Sequence, residues 1–121
     1  DRAMRAIKQN AGRSVMVPTE DGMRVVPFST IVYVEVTGHR LTYHLESGEL
    51  LEARGSLGQL EDALSGAPII RVAKSCLVNM DKIVLMRPQS LQMVTGDTLS
   101  ISRTRKREVV DAVTDHLGGR R

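Results

Sequence analysis

The 121-residue chain is 41% hydrophobic and 26% charged, with a formal net charge of +3. That length fits one domain, and that apolar share excludes global disorder. Phe28, Tyr33 and Tyr43 are its only aromatic residues, which leaves little for the stacking platforms of single-strand and RNA binders.

Residues 1–13 read as a linker or a short N-terminal helix from a missing upstream domain. Ala3, Met4, Ile7 and Ala11 recur at helical spacing, Gly12 stops them, and the chain does not begin with Met. Residues 14–121 read as the domain itself. From Ser14 the period becomes two: residues 15–17 and 23–26 flank a hairpin-type turn at Thr19-Glu20-Asp21-Gly22. Residues 31–36 are apolar on both parities except Glu35, the pattern of a central strand. Thr37-Gly38-His39-Arg40 is a turn. Leu41, Tyr43 and Leu45 then alternate with Thr42 and His44 as a half-buried strand, and Ser47-Gly48 turns the chain into a partner strand over 49–53. Ser56 and Gln59 form a capping-box pattern before a helix that carries Leu57, Leu60 and Leu64 on one face. Gly66 and Pro68 end it.

Residues 69–72 read as a short strand and 75–80 as a turn of helix or a tight loop. Strands follow at 83–86, 91–94 and 99–101, with turns at Arg87-Pro88-Gln89 and Thr95-Gly96-Asp97. A last helix starts near Thr104, stacks Val109, Val113 and Leu117 at i, i+4, i+8, and stops at Gly118-Gly119. The expectation is a mostly β domain of many short strands with one internal helix and helical ends. Met16, Met23, Met80, Met86 and Met93 read as core filler, and Met4 as a contact to the missing domain. Asn79 reads as structural, its amide satisfying backbone groups before Met80-Asp81. His44 reads as a surface residue on a strand, and His116 as a solvated residue suited to the end of a helix.

Cys76 is the single cysteine, so there is no internal disulfide and no thiolate metal cluster. It reads as a small, half-buried packing residue and fits a reducing cytoplasm. No signal peptide is visible and no apolar run is long enough to span a bilayer. There is no nucleophile elbow, no phosphate-binding glycine loop and no metal-spaced His/Cys cluster. The sequence therefore points away from an enzyme, a cofactor and a membrane.

Three positions carry recognition chemistry, each on a turn between β-elements. His39 can exchange hydrogen bonds with a base edge and gains charge below a pKa of about 6.5. Lys74 can donate to guanine or meet a phosphate, with the Ser75 hydroxyl beside it. Arg103 offers the planar fork that suits guanine. Arg105, Lys106 and Arg107 follow it at a helix start, where cations oppose the helix dipole. The acidic stretch 48–62, with Glu49, Glu52, Glu61 and Asp62 against Arg54, reads as a flank opposite this basic end. Taken singly, His39 and Lys74 read more readily as ordinary solvated turn residues, and Arg103 reads either way, so the residues alone leave both readings open.

The order of the pieces resembles the LytTR DNA-binding domains of bacterial response regulators, from about Met16 to Leu117. The matching segments are Ile31-Val32-Tyr33-Val34-Glu35, Gly38-His39-Arg40 and Gly55-Ser56-Leu57-Gly58-Gln59-Leu60. Then come Arg71-Val72-Ala73-Lys74-Ser75-Cys76-Leu77-Val78-Asn79, Ile83 and Ile101-Ser102-Arg103. The resemblance implies short antiparallel strands in several small sheets, and inter-strand loops that enter successive major grooves of a bent duplex. It implies base contacts from His39, Lys74 and Arg103. Arg40, Ser75 and Thr104 become candidates for phosphate contacts, and the cations Arg105 and Arg107 join them. Family members usually carry His at the position of Ala73, Arg at Lys74 and an aromatic at Cys76. Ala73 therefore removes a donor, and Lys74 keeps charge without the bidentate fork.

The expected function is a cytoplasmic, double-stranded DNA-binding output domain of a bacterial transcription regulator. It would follow a receiver or sensor domain and bind promoter direct repeats as a dimer. The alternatives are a β-rich RNA or single-strand binder, and a protein-interaction module whose cationic tips meet an acidic partner.

Overall fold

A computed structural model describes residues 13–118. The helix or linker expected over 1–13 falls, apart from Arg13, outside the described residues. The described chain runs β1 (Ser14–Thr19), β2 (Gly22–Pro27), β3 (Ile31–Thr37), β4 (Arg40–Leu45), β5 (Leu50–Arg54) and α1 (Leu57–Ala63). It continues as β6 (Ile69–Ala73), β7 (Cys76–Asn79), β8 (Ile83–Met86), β9 (Ser90–Met93), β10 (Thr98–Ser100) and α2 (Lys106–Val113). The strands make three antiparallel sheets: the hairpin β1-β2, the sheet β10-β9-β8, and a five-stranded sheet in the order β5-β4-β3-β7-β6.

β3 lies at the centre of the large sheet, which explains its apolar residues on both parities. The sheet is covered on both faces. On one side Val34, Leu41, Tyr43, Leu45 and Leu77 pack with Val15, Val17 and Val26 of the hairpin and with Leu57, Leu60 and Leu64 of the first helix. On the other side Tyr33, Val72, Cys76 and Val78 pack with Leu91, Met93 and Leu99 of the small sheet and with Val109 and Val113 of α2. The register shifts between Ile31 and Tyr33, so Val32 and Tyr33 both join this second core. Ser56 caps α1 as the sequence implies, its hydroxyl accepting from the Gln59 amide at 3.2 Å.

Four expectations are corrected. Residues 76–79, expected as a helical turn or loop, form β7, an internal strand buried at every position. A strand covered on both faces has no alternation to reveal it. Met16, Met23 and Met86 are exposed, at 57%, 55% and 37%. The two-stranded hairpin buries only one face, and Met16 stands opposite Val25 on the open one. Leu117 is 49% exposed instead of stacking below Val113. The chain widens into a π turn over Thr114–Gly118, which rotates position 117 off the apolar stripe. His44 is not a free surface residue: it stacks on Tyr33 with ring centroids 4.0 Å apart, and its Nε2 bonds Glu35 at 2.8 Å.

Met80 and Met93 are core residues, and Cys76 is buried. Asn79, 2% exposed, donates to the Ile31 carbonyl at 2.9 Å and accepts from the Asp81 amide at 3.0 Å. That is the structural role its position suggested.

Candidate nucleic-acid interface

Antiparallel pairing sets which turns share an end of the large sheet. The β3–β4 turn carries Gly38 and His39, with Thr37 paired to Arg40. Gly38 has φ +63, a conformation glycine adopts without strain. β7 runs antiparallel to β3 with Cys76 opposite Glu35. The β6–β7 tip, Lys74-Ser75, therefore sits at the same end as the His39 turn. The Ser75 carbonyl accepts from the Val36 amide at 3.0 Å, which ties this tip to the end of β3. The third segment is tied in the same way: the Ser102 amide donates to the Val72 carbonyl at 2.8 Å, placing Arg103 against the end of β6.

The structure thus brings His39, Lys74 and Arg103, remote in sequence, to one end of one sheet. Strands lie about 4.8 Å apart, so the two hairpin turns are separated by roughly 10 Å and the whole end is about 19 Å wide. That width corresponds to between five and six base-pair rises of about 3.4 Å.

Among the described residues, most cations without a carboxylate partner lie at this end. Away from it, Arg24 pairs with Glu49 at 2.6 Å and Lys82 with Glu46 at 2.9 Å, while Arg71, beside the Lys74 tip, pairs with Glu61 at 2.9 Å. Among the described residues, Lys74, Arg103, Arg105, Lys106 and Arg107 have no carboxylate partner. All five are exposed except Arg105, which is half-buried. Arg40 is the exception among the tip cations, meeting Glu52 at 3.1 Å. Both side chains of that pair are largely in water, where such contacts contribute little and exchange readily. The acidic stretch 48–62 is consequently not a free flank opposite the basic end. Three of its carboxylates are occupied by arginines: Glu49 by Arg24, Glu52 by Arg40 and Glu61 by Arg71.

Arg103 opens a turn of 3₁₀ helix over Arg103–Arg105, and α2 starts at Lys106 with no side-chain cap. The hydroxyls of Ser102 and Thr104 lie 3.1 Å apart, which orients Thr104 next to the Arg103 tip. Burial, with the Glu35 charge adding to it, pushes the Cys76 thiol up to about 12. It is therefore a neutral packing group two residues behind Lys74. Burial, reinforced by Asp97, raises the Tyr33 hydroxyl, which donates to Asp97 Oδ2 at 3.2 Å.

Two residues of this end were not picked out from sequence. Arg54 closes β5 opposite Arg40. Counting outward from the Ser47-Gly48 turn would have found it. Arg71 donates through Nη2 to Glu61 of α1 at 2.9 Å and through Nη1 to the Lys74 carbonyl at 3.2 Å. It braces the Lys74 tip against the helix. Its membership in the 71–79 block was visible, but its partner on a separate helix was not.

The chain is similar to known proteins in sequence and in fold. A family model, the LytTr DNA-binding domain, matches residues 21–114, a span that includes all three tips. The Sensory transduction protein LytT of Oceanobacillus iheyensis is 31% identical over 106 residues, covering 82% of this chain and 43% of that protein. The chain thus spans under half the length of that relative. A solved structure, the LytTr DNA-binding domain of a putative methyl-accepting/DNA response regulator from Bacillus cereus, matches with a TM-score of 0.74. The match covers 84% of this chain and 96% of that one at 24% identity, a likeness of fold.

Proposed function

The chain belongs to the LytTR DNA-binding domain family, and from that premise we propose that it is a sequence-reading, double-stranded DNA-binding output domain of a bacterial transcription regulator. His39, Lys74 and Arg103 are the base readers of this reading, and Arg40, Ser75, Thr104, Arg105 and Arg107 its phosphate contacts. The observation that carries it is the convergence of three polar tips on one sheet end, where cations left without carboxylates gather. A rigid β-scaffold holds such tips at fixed spacing, while phosphate contacts set register and base contacts set sequence. Lys74 acts as a point charge where an arginine would grip two acceptors, so its base preference is the softer one.

In the whole protein the domain follows a receiver or sensor and binds paired promoter repeats as a dimer, in the cytoplasm. Among the described residues no helix is long and apolar enough to cross a membrane. The reading involves no catalytic step and no cofactor. The scarcity of aromatics disfavours the single-strand alternative.

The test is competition for the labelled domain among duplex, single-stranded DNA and heparin, with duplexes selected from a random pool. Duplex should win, and log K should fall with log salt at about −0.9 per neutralised phosphate, several units in total. A flat salt response, or preference for the single strand, refutes the proposal.

A further inference from the structure

Arg54 and Arg40 are direct cross-strand partners at the open end of the β4-β5 pair. Opposed side chains share a face with Cβ atoms about 5 Å apart, where like charges are destabilising. Glu52, two residues back on the same face, meets Arg40, and among the described residues Arg54 has no carboxylate. Next to it a groove of about 530 Å³ is lined by His39, Arg54, Gly55, Ser56 and Gln59. A second, of about 310 Å³, is lined by Thr37, His39, Arg40 and Arg54. Both grooves run from Arg54 to the His39 turn.

The backbone between them is fixed. The Gly55 amide donates to the His39 carbonyl at 2.8 Å. Gly55 has φ +156, and a Cβ there would stand 3.0 Å from Leu41 Cδ1. Arg54 is therefore not a freely placed surface cation. It is coupled through the next residue to the turn that carries His39, one strand outside the row of tips.

We propose that Arg54, with Arg40, forms a phosphate-binding subsite at the β5 edge that grips the DNA backbone flanking the bases read by His39. The inference rests on the duplex-binding reading above. A phosphate between the two guanidiniums relieves their repulsion, and the exposed Arg40–Glu52 contact yields to a stronger anion. The subsite adds affinity without sequence preference, and it lengthens the footprint on the His39 side.

The test uses this chain with Arg54→Ala, Arg54→Lys and, as a control, Arg24→Ala on the β1-β2 hairpin, where Arg24 pairs with Glu49. Affinity is measured for a selected duplex, a scrambled duplex, and versions extended or trimmed beyond the His39 side. Arg54→Ala should lose about five- to tenfold at 0.1 M salt on cognate and scrambled duplex alike, with the salt slope smaller by about one. Arg54→Lys should retain most of the affinity, and Arg24→Ala all of it. Wild type should gain from the extended duplex while Arg54→Ala does not. Melting of Arg54→Ala should not fall, since a like-charge contact is removed. If Arg54→Ala binds like wild type with an unchanged slope, the subsite is refuted while the domain reading stands. If wild type itself fails to prefer duplex over heparin, the domain reading fails and the subsite falls with it.

Discussion

Replacing Asn79 by Ala tests how the recognition end is held. Asn79 lies at the far end of β7 from Lys74, and its amide bonds the Ile31 carbonyl and the Asp81 amide. Truncation removes both partners at once. A buried group left without its hydrogen bond costs about 1–3 kcal/mol. The Ile31 carbonyl lies in the interior, whereas Asp81 is exposed and its amide can turn to water. The expected loss is therefore about 2–4 kcal/mol, or on the order of 10 °C in Tm for a domain of this size. Urea unfolding should show a lower midpoint at unchanged m. Asn79→Asp keeps the acceptor but points a carboxylate at a carbonyl oxygen. Burial of that charge raises the carboxyl's pKa in the folded state above its unfolded value. Its stability is therefore greatest at low pH and falls as pH rises through the folded pKa. A loss below about 0.5 kcal/mol for Asn79→Ala would show that the two bonds do not anchor β7.

Two further outcomes follow from the same geometry. Cys76→Ser should cost about 1–3 kcal/mol for a buried hydroxyl without a partner, yet leave DNA affinity intact. In wild type the thiol is held near 12 against 9.0 when unburied, so its contribution is complete below pH 9 and is lost as pH climbs from 9 toward 12. A thiol reagent at pH 8 should label it only after denaturation, and rapid labelling of the native domain would contradict its burial. Glu61→Ala, which frees Arg71 from α1, should lower the cognate-to-scrambled affinity ratio several-fold, because Arg71 also bonds the Lys74 carbonyl. Glu61→Gln, which keeps an acceptor, should retain most of the ratio. Equal ratios in all three proteins would mean that Arg71 does not position the tip.

Much of the fold was legible because its signals are local. Alternation along 41–45, the capping Ser56 and the turn residues at 37–40 and 47–48 each specify an element from adjacent residues. β7 escaped because four residues buried on both faces carry neither period. The methionines misled because hydrophobicity does not say which face of a hairpin is covered. Met16 and Met93 look alike in sequence, yet one is open and the other has no exposed surface. His39, Lys74 and Arg103 were individually indistinguishable from solvated turns. What unites them is long-range: Ser75 to Val36 and Ser102 to Val72 are bonds between segments that share no local pattern. Glu61 with Arg71 has the same character, joining a helix to a strand through one side chain each.

The most direct test of the central claim measures affinities of wild type, Lys74→Ala and Arg103→Ala for a selected cognate duplex, its single-base variants and a scrambled duplex. Circular dichroism confirms folding, since all three tip side chains are exposed. If the tips read bases, each mutant should lose about 1–3 kcal/mol of discrimination at one position of the site and keep its scrambled-duplex affinity nearly unchanged. If instead Lys74→Ala and Arg103→Ala weaken cognate and scrambled duplex by the same factor, these side chains are electrostatic contacts alone, and the sequence is read elsewhere on the domain.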